Sequence, residues 1–230
     1  MHESVKETLR QIWTKAGPVD TDSLSDRELR RIEQETQATV GSPVGLGYFG
    51  LAVGTMVLAF VTSGIMPADS IVAAIPAVLI FAGIAQFVAA LYSFTRGIAF
   101  TGTLFGAYGA GYALLATFIW MQAAHLIPIS QPANFLAGIG WLCFGYISLV
   151  LGFAALKLNP TYLLIAWALV PGYVLPGITA MGGFSPAVGH VGGYCLFIAS
   201  LGAFYAGAVI VINSTHQDNV LSLGRFSDRA

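Results

Sequence analysis

The sequence predicts an all-α integral membrane protein with six transmembrane helices per protomer, and three observations lead there. Only 9% of the 230 residues are charged while 56% are hydrophobic, against about a quarter charged in ordinary soluble domains. The charge is also segregated. Six of the ten Lys and Arg and eight of the eleven acids precede residue 41, and between residues 41 and 212 only Asp69, Arg96 and Lys157 remain. A water-soluble domain would need a charged surface over that stretch, so it must face lipid. Finally, the stretch divides into six apolar runs, and about 20 helical residues at about 1.5 Å each cover a hydrocarbon core about 30 Å thick. Inside lipid the backbone has to hydrogen-bond to itself, which selects helices. Three regions follow: a polar, partly helical tail over 1–40, a six-helix transmembrane domain over 41–213, and a second tail over 214–230.

The tail carries Val5, Leu9, Ile12 and Trp13 on one helical stripe, and Ser25 with Glu28 has capping-box spacing ahead of Leu29 and Ile32. Its polar start is unlike a signal peptide. The apolar runs then fall at 44–66, 70–92, 98–121, 134–156, 161–180 and 187–212. Turn-forming residues separate them: Pro67 and Asp69, Arg96-Gly97, Pro128 with Pro132, Asn159-Pro160, and Gly182-Gly183 with Pro186. The connections at 67–69, 122–133 and 181–186 contain no Lys or Arg. With six spans, Arg96, Lys157 and both tails share one face, which the positive-inside rule makes cytoplasmic. Arg96 is therefore expected to mark a cytoplasmic turn between the second and third spans, the alternative being a direct role with an anionic solute.

Gly50-x-x-x-Gly54 and Gly102-x-x-x-Gly106 allow helix backbones to approach closely in lipid. Cys143 and Cys195 lie in apolar runs and read as small core residues. Polar groups at membrane depth are few: Thr55, Gln86, Thr103, Tyr108, Thr117, Ser148, Thr179 and His190. None makes an acid–base pair, a metal-ligand cluster or a nucleophile with its base, so neither enzymatic chemistry nor a metal or cofactor is expected. The net charge of −1 gives no hint of nucleic acid as a partner. What remains is neutral hydrogen bonding in a narrow apolar setting, which suits passage of a small solute. A bare carboxylate there suffers a large desolvation penalty. It must shed its charge by protonation or gather donors from hydroxyls, amides and helix starts.

Four stretches carry a resemblance: SPVGLGYFGLA (42–52), FAGIAQF (81–87), GIAFTGTLFGAYG (97–109) and AFYAGAVIVINSTHQDNVLSLG (203–224). In this order and spacing they resemble the acetate uptake transporters, the succinate–acetate permease family, over residues 42–224. The resemblance implies a six-helix protomer in a homo-hexameric ring, each protomer with its own path for acetate or related small carboxylates, with protons as a further partner. It also implies an entrance motif at the start of the first span. The family reads Asn-Pro-Ala-Pro-Leu-Gly-Leu there, and this chain has Ser42, Pro43, Val44, Gly45, Leu46 and Gly47. Ser42 for Asn keeps a capping side chain, Pro43 suits the first turn, and Gly45 for Pro loosens it.

By the same resemblance, a hydrophobic girdle of two aromatics and an aliphatic residue falls on Leu51, Tyr108 and Leu169. Leu51 replaces a phenylalanine. Gln86 matches the glutamine of the second-span motif and Thr103 the threonine of the third, and both, with Thr55, are expected to hydrogen-bond a carboxyl group. Ser93 stands where the family often has a glutamate, and Ile98-Ala99 where Asn-Thr usually follows the glycine. These departures leave room for two alternatives: a channel for a small neutral solute such as water or urea, or a non-transporting membrane scaffold.

Overall fold

A computed structural model describes residues 41–226. The chain divides into two units, 1–42 and 43–230, and the fold below is that of the second. The helical stripe and capping box expected within residues 1–40 lie outside the described residues.

Six helices are long and apolar enough to cross a membrane: α1 (Val44–Thr62), α2 (Ala68–Thr95), α3 (Ala99–Ala123), α4 (Gln131–Ala155), α5 (Pro160–Ala180) and α6 (Pro186–His216). Large apolar side chains remain exposed on their outer faces, among them Leu114, Leu136, Tyr146 and Leu201. An apolar exterior is stable only against lipid or another apolar surface. The helices alternate in direction, so the Arg96 and Lys157 turns and the end of α6 share one end of the bundle. The turns around Gly64, His125 and Gly182 share the other.

The helix starts differ between elements. α4, α5 and α6 begin with proline in the first turn and a capping side chain. Ser130 accepts from Ala133 N, Asn159 from Tyr162 N and Ser185 from Ala187 N, satisfying amides that would otherwise lack partners. The N-cap of α1 is Pro43 itself, without a side-chain bond. The expected cap from Ser42 is therefore not made, because Pro43 is already in helical φ/ψ and Ser42 lies exposed before the first turn.

Inside α2, Pro76 cannot donate to the carbonyl four residues earlier. Immediately beyond it the chain runs as a π-helix over Ala77–Ala85, and α-helix resumes at Gln86. Such widened turns are rare and cluster at functional sites.

α1 packs extensively on α6 and α2, and α4, α5 and α6 pack side by side, whereas α3 barely meets α4. A Cβ on Gly50 would sit 3.0 Å from Gln86 Cβ and from the Phe81 carbonyl, and one on Gly54 would press on Ala82. The first small-xxx-small motif is thus a real α1–α2 contact. In the second motif, Gly102 lies against Phe94 while Gly106 has only loose contact with Ala90 and Phe94.

One expectation needs correction here. Cys143 is exposed on the outer face of α4, so it is not a core residue, and only Cys195 is partly buried. The segment expected as a tail over 214–230 is described to residue 226 and returns along the bundle. α6 runs to His216, and Gln217 in the left-handed region turns the chain back. Asn213 then bonds both the carbonyl and the amide of Leu221, Tyr205 Oη donates to Ser222 O, and Thr161 Oγ1 donates to Leu223 O.

Candidate functional site

Three helices present inward stripes at three- and four-residue spacing, the neighbour pattern of one helical face. α1 contributes Tyr48, Leu51 and Thr55, α3 contributes Thr101, Phe105, Tyr108 and Tyr112, and α5 contributes Tyr162, Ile165, Leu169 and Tyr173. Leu51, Tyr108 and Leu169 are at most 1% exposed and belong to one buried apolar cluster. They occupy mid-depth on their helices.

Tyr108 is held in place. Ser148 Oγ donates its only proton to Phe144 O at 2.7 Å, so at 2.7 Å from Tyr108 Oη it accepts the phenol's proton. The Tyr108 ring stacks on Phe144 and Tyr173 with centroids 6.1 and 5.8 Å away. One turn further from the Arg96 end, the hydroxyls of Tyr112 and Tyr173 bond each other at 2.9 Å. Above this floor, where α3 and α4 splay, lies a cavity of about 260 Å³ walled by Leu115, Phe118, Gly140, Trp141 and Phe144. It has room for a two- or three-carbon acid, and its wall is apolar except at the tyrosine floor. A second cavity, about 250 Å³, lies among α1, α5 and α6 beside Thr62, Thr179 and His190.

Gln86 stands at the depth of Leu51 and Tyr108. Gly50, next to Leu51, packs against its Cβ, and Gly109, next to Tyr108, packs against the following residue, Phe87. Its side chain is fully buried, yet neither the amide nitrogen nor the oxygen has a hydrogen-bond partner. A buried, unmade hydrogen bond costs about 1–3 kcal/mol, and both polar atoms of the Gln86 carboxamide are free to take a partner.

The other sequence-derived residues fare differently. Thr55 is buried, but its hydroxyl donates to Leu51 O at 2.7 Å, which leaves only its oxygen free to accept. Thr103 is exposed on the outside of α3. The inward stripe passes through 101, 105 and 108, and Thr103 projects from the opposite side of the helix. The buried threonine is Thr101, whose Oγ1 has no partner. Pro43, Gly45 and Gly47 are buried at the start of α1, with Gly47 against the Phe105 ring and Gly45 against Val211. Tyr48, Thr101, Tyr112 and Tyr173 were not singled out from sequence. Counting three and four residues from Tyr108 finds two of them on α3.

A bundle of six lipid-compatible helices around an interior stripe of rings and hydroxyls defines a multi-pass membrane protein. The GPR1/FUN34/yaaH family model matches residues 28–225, most of the chain, and the chain belongs to that family. It is 26% identical over 185 residues to the succinate-acetate/proton symporter SatP of Escherichia coli strain K12, covering 80% of this chain and 96% of the relative. An uncharacterized protein of Methanothermobacter thermautotrophicus is 26% identical over 200 residues, covering 85% of this chain and 97% of that protein. The solved structure of the bacterial acetate channel SatP matches with a TM-score of 0.73 at 24% identity, over 80% of this chain and 99% of that one, a likeness of fold.

Proposed function

We propose that this protein conducts acetate and similar small monocarboxylates across the cytoplasmic membrane, through the interior of each protomer and past a neck formed by Leu51, Tyr108 and Leu169. Family membership supports the solute class. The single observation that carries the site is Gln86, fully buried with both amide atoms unpaired. A protonated carboxyl group offers one donor and one acceptor side by side, which complements a carboxamide. A carboxylate offers acceptors only and would leave Gln86 Oε1 orphaned. The acid therefore passes the neck as the neutral molecule or together with a proton.

The cations support the orientation within this reading. Among the described residues outside the segment that follows α6, Arg96 and Lys157 are the only Lys or Arg, and both lie at the end that the positive-inside rule assigns to the cytoplasm. The ring of six copies implied by the family resemblance belongs to the same proposal.

Labelled acetate uptake into proteoliposomes, measured at several pH values, tests the function. Protein-dependent uptake that grows as pH falls toward the carboxyl range, about 4, is expected. Uptake equal to that of empty liposomes at every pH removes the proposal. The uncharged interior equally suits a small neutral solute, so stopped-flow swelling with acetate, urea and glycerol is the companion measurement. Selective passage of urea over acetate would replace this reading.

A further inference from the structure

We propose that Tyr48, Phe105 and Tyr162 form a second constriction of the solute path, nearer the Arg96 end than Leu51, Tyr108 and Leu169, and that it limits the size of the acid that passes. The inference rests on the reading that the path runs through the protomer interior. Each ring shares a helix face with a neck residue: Tyr48 lies three residues before Leu51, Phe105 three before Tyr108 and Tyr162 seven before Leu169, spacings of about one or two helical turns.

The rings meet across the interior. Tyr48 contacts Phe105 edge-on with centroids 5.1 Å apart and stacks on Tyr162 at 4.9 Å. Phe100 stacks on Tyr162 at 5.8 Å. α1 and α5 make almost no direct backbone approach, so these side chains, not helix packing, close the gap between them. A gap filled by rings opens by rotamer changes, whereas one filled by backbones does not.

The layer is also chemically unfinished. Thr101 Oγ1, one turn before Phe105, is buried without a hydrogen-bond partner, and the Tyr48 hydroxyl has only the Tyr162 hydroxyl near it. Such an unpaired group costs about 1–3 kcal/mol unless it takes a partner. A small carboxyl group drawn between the rings offers Thr101 Oγ1 a partner while its methyl group meets aromatic faces. A longer alkyl chain has to displace a ring, which makes the layer a size filter.

The test compares acetate and butyrate uptake by wild type, Tyr48→Leu and Tyr162→Leu. Losing one stacked pair is expected to raise the butyrate-to-acetate rate ratio about fivefold. An unchanged ratio in both variants overturns the second constriction while wild-type acetate uptake upholds the path itself. A solute-free readout keeps the two separable. In a Cys143→Ser, Cys195→Ala background, Leu51→Cys should react slowly with a small water-soluble methanethiosulfonate supplied at the Arg96 face. Adding Tyr48→Leu should speed the reaction several-fold. Equal labelling rates overturn the proposal whether or not wild type carries acetate.

Discussion

At the scale of single residues, Gln86 separates function from stability. Replacing it by Leu removes two unpaired buried polar atoms at little change in volume, and removing such atoms is nearly neutral or stabilising. Gln86→Leu is therefore expected to keep or raise the thermal midpoint while acetate uptake falls about tenfold, the equivalent of about 1.4 kcal/mol. A midpoint loss as large as the activity loss would make Gln86 structural. The two threonines on α3 give a sharper contrast. Thr101→Val should slow uptake, whereas Thr103→Val, on the exposed face, should leave the rate unchanged. A reversed pair of effects in the uptake assay would show that the inward face of α3 has been misplaced. Tyr108→Ala removes the ring stacked between Phe144 and Tyr173 and is expected to alter the rate with little loss of assembly by size-exclusion chromatography.

At the scale of elements, the α1–α2 contact depends on having no side chain at Gly50, where a Cβ already sits 3.0 Å from Gln86 Cβ and the Phe81 carbonyl. Gly50→Leu is expected to destabilise by about 1–3 kcal/mol, read as a lowered midpoint in detergent, because backbone has to move. The six spans were legible in the sequence because lipid enforces unbroken apolar runs, and Pro67, Arg96-Gly97 and Asn159-Pro160 break them where the turns occur. The π-helical stretch of α2 was not legible. Pro76 signals a disturbed helix, but whether the chain answers with a kink or a wide turn depends on the neighbours it packs against. Thr103 shows the same limit. Apolar on every side, α3 offers no polarity contrast to reveal which face turns inward, so a motif threonine and a buried one two residues away look alike until the helix is packed. Cys143 misled for the same reason, since in lipid an apolar neighbourhood does not mean a buried one. The return of residues 217–224 along α5 and α6 depends on side-chain bonds to backbone, such as Asn213 to Leu221, that no hydrophobic pattern announces.

At the scale of the whole molecule, the surrounding solvent decides where a solute can go. Among the described residues, large apolar side chains cover the outer faces, and Arg96 and Lys157 sit at one end with Asp69 at the other, so the interior suits a polar solute better than the lipid-facing surface does. That interior offers rings, hydroxyls and one unsatisfied carboxamide, with no fixed charge at neck depth. Such a passage favours a molecule that is neutral at the narrowest point and small enough to slip between rings. The most direct test is labelled acetate uptake into proteoliposomes holding wild type or Gln86→Leu, followed from neutral to mildly acidic pH. The account predicts saturable uptake by wild type that rises on acidification and drops about tenfold in the variant. Wild-type uptake no faster than in protein-free liposomes across that range would contradict it.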